Sequence, residues 1–308
     1  MNRPQLLTRR KMLGSLAKLL ALGAAASTVS ACGGTMAGLT LDDLLQKHYL
    51  DMDDEQLAAL VARLEAAILE RWGKPVTMAT TPAKPGVRLA MTLNLSACIG
   101  CGQCAQGCFE ENNQARDPEI KWITMLRSHH MKIWNLHDTE TYTLPPTGED
   151  DGNYYLPVAC QQCDDPPCVR ACPVKATWKE PDGITVVDYS WCIGCRYCMA
   201  ACPYDARKFN WAPPDIPANE LNPKQHYLGN RPRPYGVVEK CTFCVQRTRE
   251  GHDTACVTVC PVGARRCADM NDPTTEVYAI VRGVKTIQLR EDVGTEPRFY
   301  YYFSDGTT

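Results

Sequence analysis

Apolar residues recur at Leu57, Leu60, Val61, Leu64 and Ile68, the three-and-four spacing that lines one face of a helix. Asp53 and Gln56 make a capping box ahead of this stripe, and Gly73 supplies a C-terminal stop, so residues 39–73 read as helical. One stripe on one helix most simply packs on its own domain, with docking to a partner subunit as the alternative. Lys74 to Gly86 carries Pro75, Pro82 and Pro85 and reads as a linker. Arg88 to Leu95 alternates as a short strand does, and Gly183 to Asp188 forms a second strand after a turn at Pro181-Asp182. Six prolines within 213–234 demand an extended or looped course. Val277–Val281 and Lys285–Leu289 flank Arg282-Gly283-Val284 in the pattern of a β-hairpin, and Arg298 to Phe303 follows as a terminal strand. Residues 109–159, with Trp122, His129, His130 and Trp134, show no clear period.

Composition changes this picture through one residue type. Eighteen of 308 residues are cysteine, and all but Cys32 and Cys267 lie in clusters between Cys98 and Cys260. A hydrophobic share of 44% suits a folded protein, and a net charge of −2 gives no argument for nucleic acid. The charge is uneven, because residues 1–31 hold five basic and no acidic side chains (Arg3, Arg9, Arg10, Lys11, Lys18). Without that segment, 28 basic against 35 acidic residues leave −7. Arg9-Arg10 precedes a weakly apolar run to Val29 and resembles a twin-arginine export signal, a route that carries folded, cofactor-loaded proteins. A membrane anchor or a chance arginine pair is the alternative. Val29-Ser30-Ala31-Cys32-Gly33 resembles a lipobox, which makes Cys32 a lipidation candidate, with ordinary cleavage before it as the other reading. The expected location is the periplasmic, exoplasmic side of the cytoplasmic membrane.

The clustered cysteines fall into four quartets: Cys98, Cys101, Cys104 and Cys108; Cys160, Cys163, Cys168 and Cys172; Cys192, Cys195, Cys198 and Cys202; Cys241, Cys244, Cys256 and Cys260. Three closely spaced cysteines wrap a loop around one face of an iron–sulfur cubane, and the fourth, usually before proline, ligates the neighbouring cluster. Proline follows Cys172, Cys202 and Cys260, but Phe109 follows Cys108. The first and third quartets both open Cys-Ile-Gly-Cys, whereas the second and fourth have a loosened middle and end Cys-Val-x₂-Cys-Pro. This alternation suggests one two-cluster ferredoxin unit inside another. Zinc ribbons do not favour such runs, and cysteines three apart are too crowded to sort into disulfides. No CxxC pair is followed by histidine, which excludes covalent haem. Cys267 reads as a free thiol, and no metal is assigned to His129, His130 or His137. Arg170, Lys175, Arg196, Lys208, Lys240 and Arg265 lie near the quartets and would offset cluster charge, with a solvated face as the plainer reading of any one.

Cys160-Gln-Gln-Cys163-Asp-Asp-Pro-Pro-Cys168 and Cys192-Ile-Gly-Cys195-Arg-Tyr-Cys198-Met-Ala-Ala-Cys202-Pro-Tyr resemble the iron–sulfur beta subunits of the DMSO, polysulfide and tetrathionate reductases, including the periplasmic NrfC and DsrO types. The resemblance covers about residues 88–270. It implies an α+β fold of nested two-[4Fe-4S] ferredoxin-like domains with loop insertions, an N-terminal helical segment and a C-terminal β-hairpin. The corresponding organisation is a signal at 1–31, a helical segment and linker at 32–86, a cluster domain at 87–270 with the insertion 109–159, and a β extension at 271–308. It also implies four [4Fe-4S] clusters. Cys98, Cys101 and Cys104 would share one with Cys260; Cys241, Cys244 and Cys256 one with Cys108; Cys160, Cys163 and Cys168 one with Cys202; and Cys192, Cys195 and Cys198 one with Cys172. The implied role is a relay without its own substrate site, between an NrfD-like integral membrane subunit and a catalytic redox subunit, of molybdopterin type, or a cytochrome. A self-contained reductase is the alternative, but it would need an open iron position or a further cofactor motif, and no phosphate-cradling glycine loop is present.

Overall fold

The computed structural model describes residues 47–129, 139–141 and 153–304. Residues 1–31, where an export signal is expected, Cys32, the His129 side chain, His130, Trp134 and His137 lie outside the described residues. By compactness the chain divides into two units, 1–57 and 58–308. In the first, Asp53 Oδ1 accepts from the Gln56 amide at 2.9 Å and the Asp53 amide donates to Gln56 Oε1 at 3.4 Å, which is the expected capping box. It opens helix α1, Asp54–Trp72, which is shorter than the helical stretch read from sequence and preceded by a 3₁₀ turn at Tyr49–Asp51.

Within the larger unit the apolar stripe of α1 packs on its own domain. Val61, Leu64, Ile68 and Trp72 meet Met78, Ile216 and Leu221. The proline-rich 213–234 segment thus serves as the surface that covers the helix, and its free carbonyls are used: Arg71 donates to Pro214 O, Trp72 to Ile216 O and Lys74 to Leu221 O. Strand β1, Thr77–Ala79, pairs in parallel with Lys224–His226.

The main sheet is built around β2, Leu89–Asn94. Arg265–Asp269 lies antiparallel on one side of β2, and Phe299–Tyr302 lies parallel on the other, followed by Thr286–Ile287 at the edge. Ala90, Met91, Leu93, Phe299 and Tyr301 fill its core. Thr124–His129 and Asn153–Val158, inside the insertion, form an antiparallel sheet with Glu140–Thr141. Two short ladders complete the frame: Thr177–Lys179 with Thr185–Val187, and Lys208–Phe209 with Val238–Glu239. No helix among the described residues is long and apolar enough to cross a membrane.

The C-terminal hairpin is a correction. Glu276–Gly283 is helical, with Thr275 Oγ1 accepting from the Tyr278 amide at 3.1 Å as an N-cap. Val277 turns inward against Ala90 and Met270, so tertiary packing overrides the β preference of Val277, Tyr278, Ile280 and Val281. The terminal strand stands as expected.

Candidate iron–sulfur cages

The pairing of β2 with Arg265–Asp269 brings the first and fourth quartets together. Strand β2 runs into the Cys98 loop and Arg265–Asp269 runs out of Cys260, and Asn94 N donates to Ala264 O at 2.8 Å. The result is a hollow lined by Cys98, Cys101, Cys104 and Cys260, the first cage. Cys108 meets Cys241, Cys244 and Cys256 in the second cage, where all four are buried. Cys160, Cys163, Cys168 and Cys202 line a third hollow. Cys192 and Cys198 pack together, with Cys172 and Cys195 as electrostatic neighbours of Cys192, and form the fourth. Its Cys195 is solvent-exposed.

Short helices set the spacing between cages. Cys104 and Cys108 lie on Gln103–Glu111, and Cys256 on Ala255–Thr258 just before Cys260. Cysteines four apart on a helix sit one above the other, about 6 Å along the axis, so each such turn hands one thiol to each of two adjacent cages. Pro167–Arg170 and Tyr197–Ala200 do the same for the third and fourth cages. Proline ends these turns after Cys172, Cys202 and Cys260, whereas Phe109 lets the first helix continue to Glu111. Gly107 lets that helix pass the Ala255 turn closely, because a Cβ there would lie 2.8 Å from Val259 Cγ2.

The cages fit an iron–sulfur core. Their loops carry residues with positive φ: Gly100 and Gly102, Gln162, Gly194 and Arg196, Phe243 and Cys244. Such turns aim backbone N–H groups inward, where an anionic core is welcome. Phe243 N donates to Cys241 Sγ at 3.4 Å and Ala264 N to Cys260 Sγ at 3.3 Å. Side-chain amides add to this, with Gln114 at 3.3 Å and Asn112 at 3.5 Å from Cys108 Sγ, and Asn112 at 3.7 Å from Cys244 Sγ. Burial first, then neighbouring thiols, pushes Cys241 and Cys163 up to about 12. Cys108 and Cys244 are also driven upward by burial. Crowded, desolvated thiols of this kind become thiolates when a metal core supplies positive charge.

The charged residues near the quartets divide sharply. Arg170 and Lys208 pair with Asp165 and Asp205 at the surface, and Lys175 is exposed. Arg196 stacks over Trp211 at 4.8 Å. Of these six, only Lys240 and Arg265 are buried among the cages. Sequence reading missed Arg207, whose Nη2 donates to Cys168 Sγ at 3.0 Å. Nothing in its local sequence distinguishes it from any solvated arginine. Cys267 is a free, half-buried thiol on the Arg265–Asp269 strand.

The chain matches 4Fe-4S dicluster domain families over residues 152–219 and over 97–176 and 191–264. It is similar to a selenate reductase subunit of Mesobacillus selenatarsenatis, 32% identical over 85% of this chain and 84% of the relative. The arsenate respiratory reductase iron–sulfur subunit ArrB of Shewanella sp. is 35% identical over 71% and 98%. A polysulfide reductase polypeptide of Wolinella succinogenes is 32% identical over 66% and 87%. With its dicluster repeats and these relatives, this protein belongs to the iron–sulfur beta-subunit family of the DMSO and polysulfide reductases.

Proposed function

We propose that the sixteen cage cysteines ligate four [4Fe-4S] clusters and that the protein passes single electrons along them between two partner subunits. The observation that carries this reading is the continuity of the row. Cys104 of the first cage neighbours Cys256 of the second, Cys241 of the second neighbours Cys160 of the third, and Cys168 of the third packs with Cys192 and Cys198 of the fourth. When bound, each cluster takes up or gives up one electron without breaking a bond. The protein's part is to hold the thiolates, donate hydrogen bonds to their sulfurs and keep water from the second cage.

The partners are an NrfD-like quinone-reactive membrane subunit at one end and a second redox subunit, of molybdopterin type, at the other. Ile99, exposed beside the first cage, and Tyr197 and Cys195, exposed at the fourth, support this assignment. The complex sits on the periplasmic face, reached by twin-arginine export, and Cys32 is a candidate lipid anchor there. Replacing Arg9 and Arg10 by lysine tests the address, because cluster-loaded precursor should then stay in the cytoplasm. For the cofactor, anaerobically purified protein should contain about sixteen iron and sixteen sulfide atoms per chain. Zinc in their place, or a three-iron signal in unoxidised protein, would overturn the assignment.

A further inference from the structure

Among the described residues, three cations no more than 1% exposed have no carboxylate within ion-pair distance. Arg207, Lys240 and Arg265 are 1%, 0% and 1% exposed. By contrast Arg233 pairs with Glu239, Arg249 with Glu180 and Asp182, and Arg298 lies 3.5 Å from Asp164. The first three make do with neutral partners and sulfur. Lys240 donates to the carbonyls of Thr185 and Cys241. Arg265 reaches Pro157 O at 3.0 Å and lies over the Phe299 ring at 5.6 Å. Arg207 bonds Thr177 Oγ1 at 2.9 Å as well as Cys168 Sγ, and its Nε has no partner. An unpaired buried cation is costly, so something must favour it.

Their placement supplies the reason. The strongest electrostatic neighbours of Arg265 include Cys98 and Cys104 of the first cage and Cys256 of the second. Those of Lys240 include Cys241 of the second cage and Cys160 and Cys168 of the third. Those of Arg207 are Cys160 and Cys168 of the third cage and Cys198 of the fourth. The row has three gaps, and each gap holds one of the three.

We infer that Arg265, Lys240 and Arg207 are fixed positive charges, one in each gap of the row, and that each raises the reduction potential of both clusters flanking it. The inference rests on the cages being cluster sites. Reducing a cluster adds one negative charge, and a nearby cation in a low-dielectric interior favours that state. Two adjacent reduced clusters repel, and a cation between them offsets that repulsion from both sides. Coulomb energy falls with distance, so the effect is local to the gap. These are positioning charges; no electron passes through them.

An EPR-monitored anaerobic titration of the full-length protein tests this, with dithionite as electron donor and ferricyanide as acceptor. Each step is one electron entering one cluster, assigned beforehand through serine replacements of Cys260, Cys108, Cys202 and Cys172. Arg265→Gln should lower the first and second potentials, Lys240→Gln the second and third, and Arg207→Gln the third and fourth, leaving the other two in place. Arg265→Lys and Arg207→Lys keep the charge and should restore the wild-type values. Arg170→Gln, at the solvated surface, should move nothing. Iron is counted on every sample, and a glutamine variant that loses iron is replaced by methionine at the same position and judged by the same pattern. Fully loaded variants with unmoved potentials, or glutamine and lysine variants that shift alike, would overturn the inference while leaving the cluster assignment intact. A wild-type protein with fewer than four reducible clusters would instead overturn the assignment itself.

Discussion

Arg233 and Glu239 form an ion pair with side chains 1% and 0% exposed. The same guanidinium donates to the carbonyls of Asn112 at 2.6 Å and Asn113 at 2.8 Å, in the segment that supplies hydrogen bonds to Cys108 Sγ. The pair therefore braces the second cage. Burial pushes the Glu239 carboxyl upward against the opposing pull of Arg233. Glu239→Gln leaves Arg233 as a buried, uncompensated charge and should cost roughly 3–5 kcal/mol. Guanidinium unfolding of the anaerobic protein measures this, and a loss below about 1 kcal/mol would show that the pair is dispensable.

Gly194 sits in the third quartet's first loop with φ of +70°, and a Cβ there would run into the carbonyl of Gly236. Gly194→Ala combines left-handed strain with overpacking, together roughly 2–5 kcal/mol. Its effect should concentrate on the fourth cage, so about one quarter of the iron is lost before the rest. Equal loss from all cages on mild oxidation would point to global unfolding instead.

His226 is buried and neutral, with Nε2 donating to Thr81 O at 3.0 Å and Nδ1 accepting from Leu228 N at 3.2 Å. Burial lowers its pKa from 6.5 to about 4, and Arg249 pushes the same way. Because the unfolded state takes up the proton more readily, this contribution is complete above pH 6.5 and disappears as pH falls towards 4. The loss is roughly 3 kcal/mol. Unfolding midpoints measured from pH 7 to pH 4 should drop less in His226→Gln than in wild type; parallel curves would refute this.

Cys260→Ser should disturb the cluster held with Cys98, Cys101 and Cys104 and spare the third and fourth cages. Serine can still ligate iron, so the readout is a displaced reduction step. If the altered signal belonged to a cluster made from Cys241, Cys244 and Cys256 alone, the cross-quartet arrangement would be wrong.

Much of the site was legible because cysteine spacing is local chemistry. Quartet members, the Asp53–Gln56 cap and the strand before Cys98 all declare themselves within a few residues. What brings Cys260 to Cys98 is the ladder of Arg265 on Leu93, a contact between distant segments with no local signature. Arg207 escaped notice for the same reason, since its meaning lies in the thiols around it. At 276–283 the β-branched residues spoke for a strand, and the single N-cap at Thr275 was the weaker but correct signal.

The central position of strand β2 bears on how the molecule is made. It emerges early, yet both its neighbours, Arg265–Asp269 and Phe299–Tyr302, come from the end of the sequence. Cys98 waits through 162 further residues for Cys260, roughly 8–30 s of translation. The third and fourth cages are complete once Cys202 has been synthesised. The thiol sets of the first and second cages are completed only later, with Cys260 and Cys256, so the two halves of the row become available to cofactor in that order.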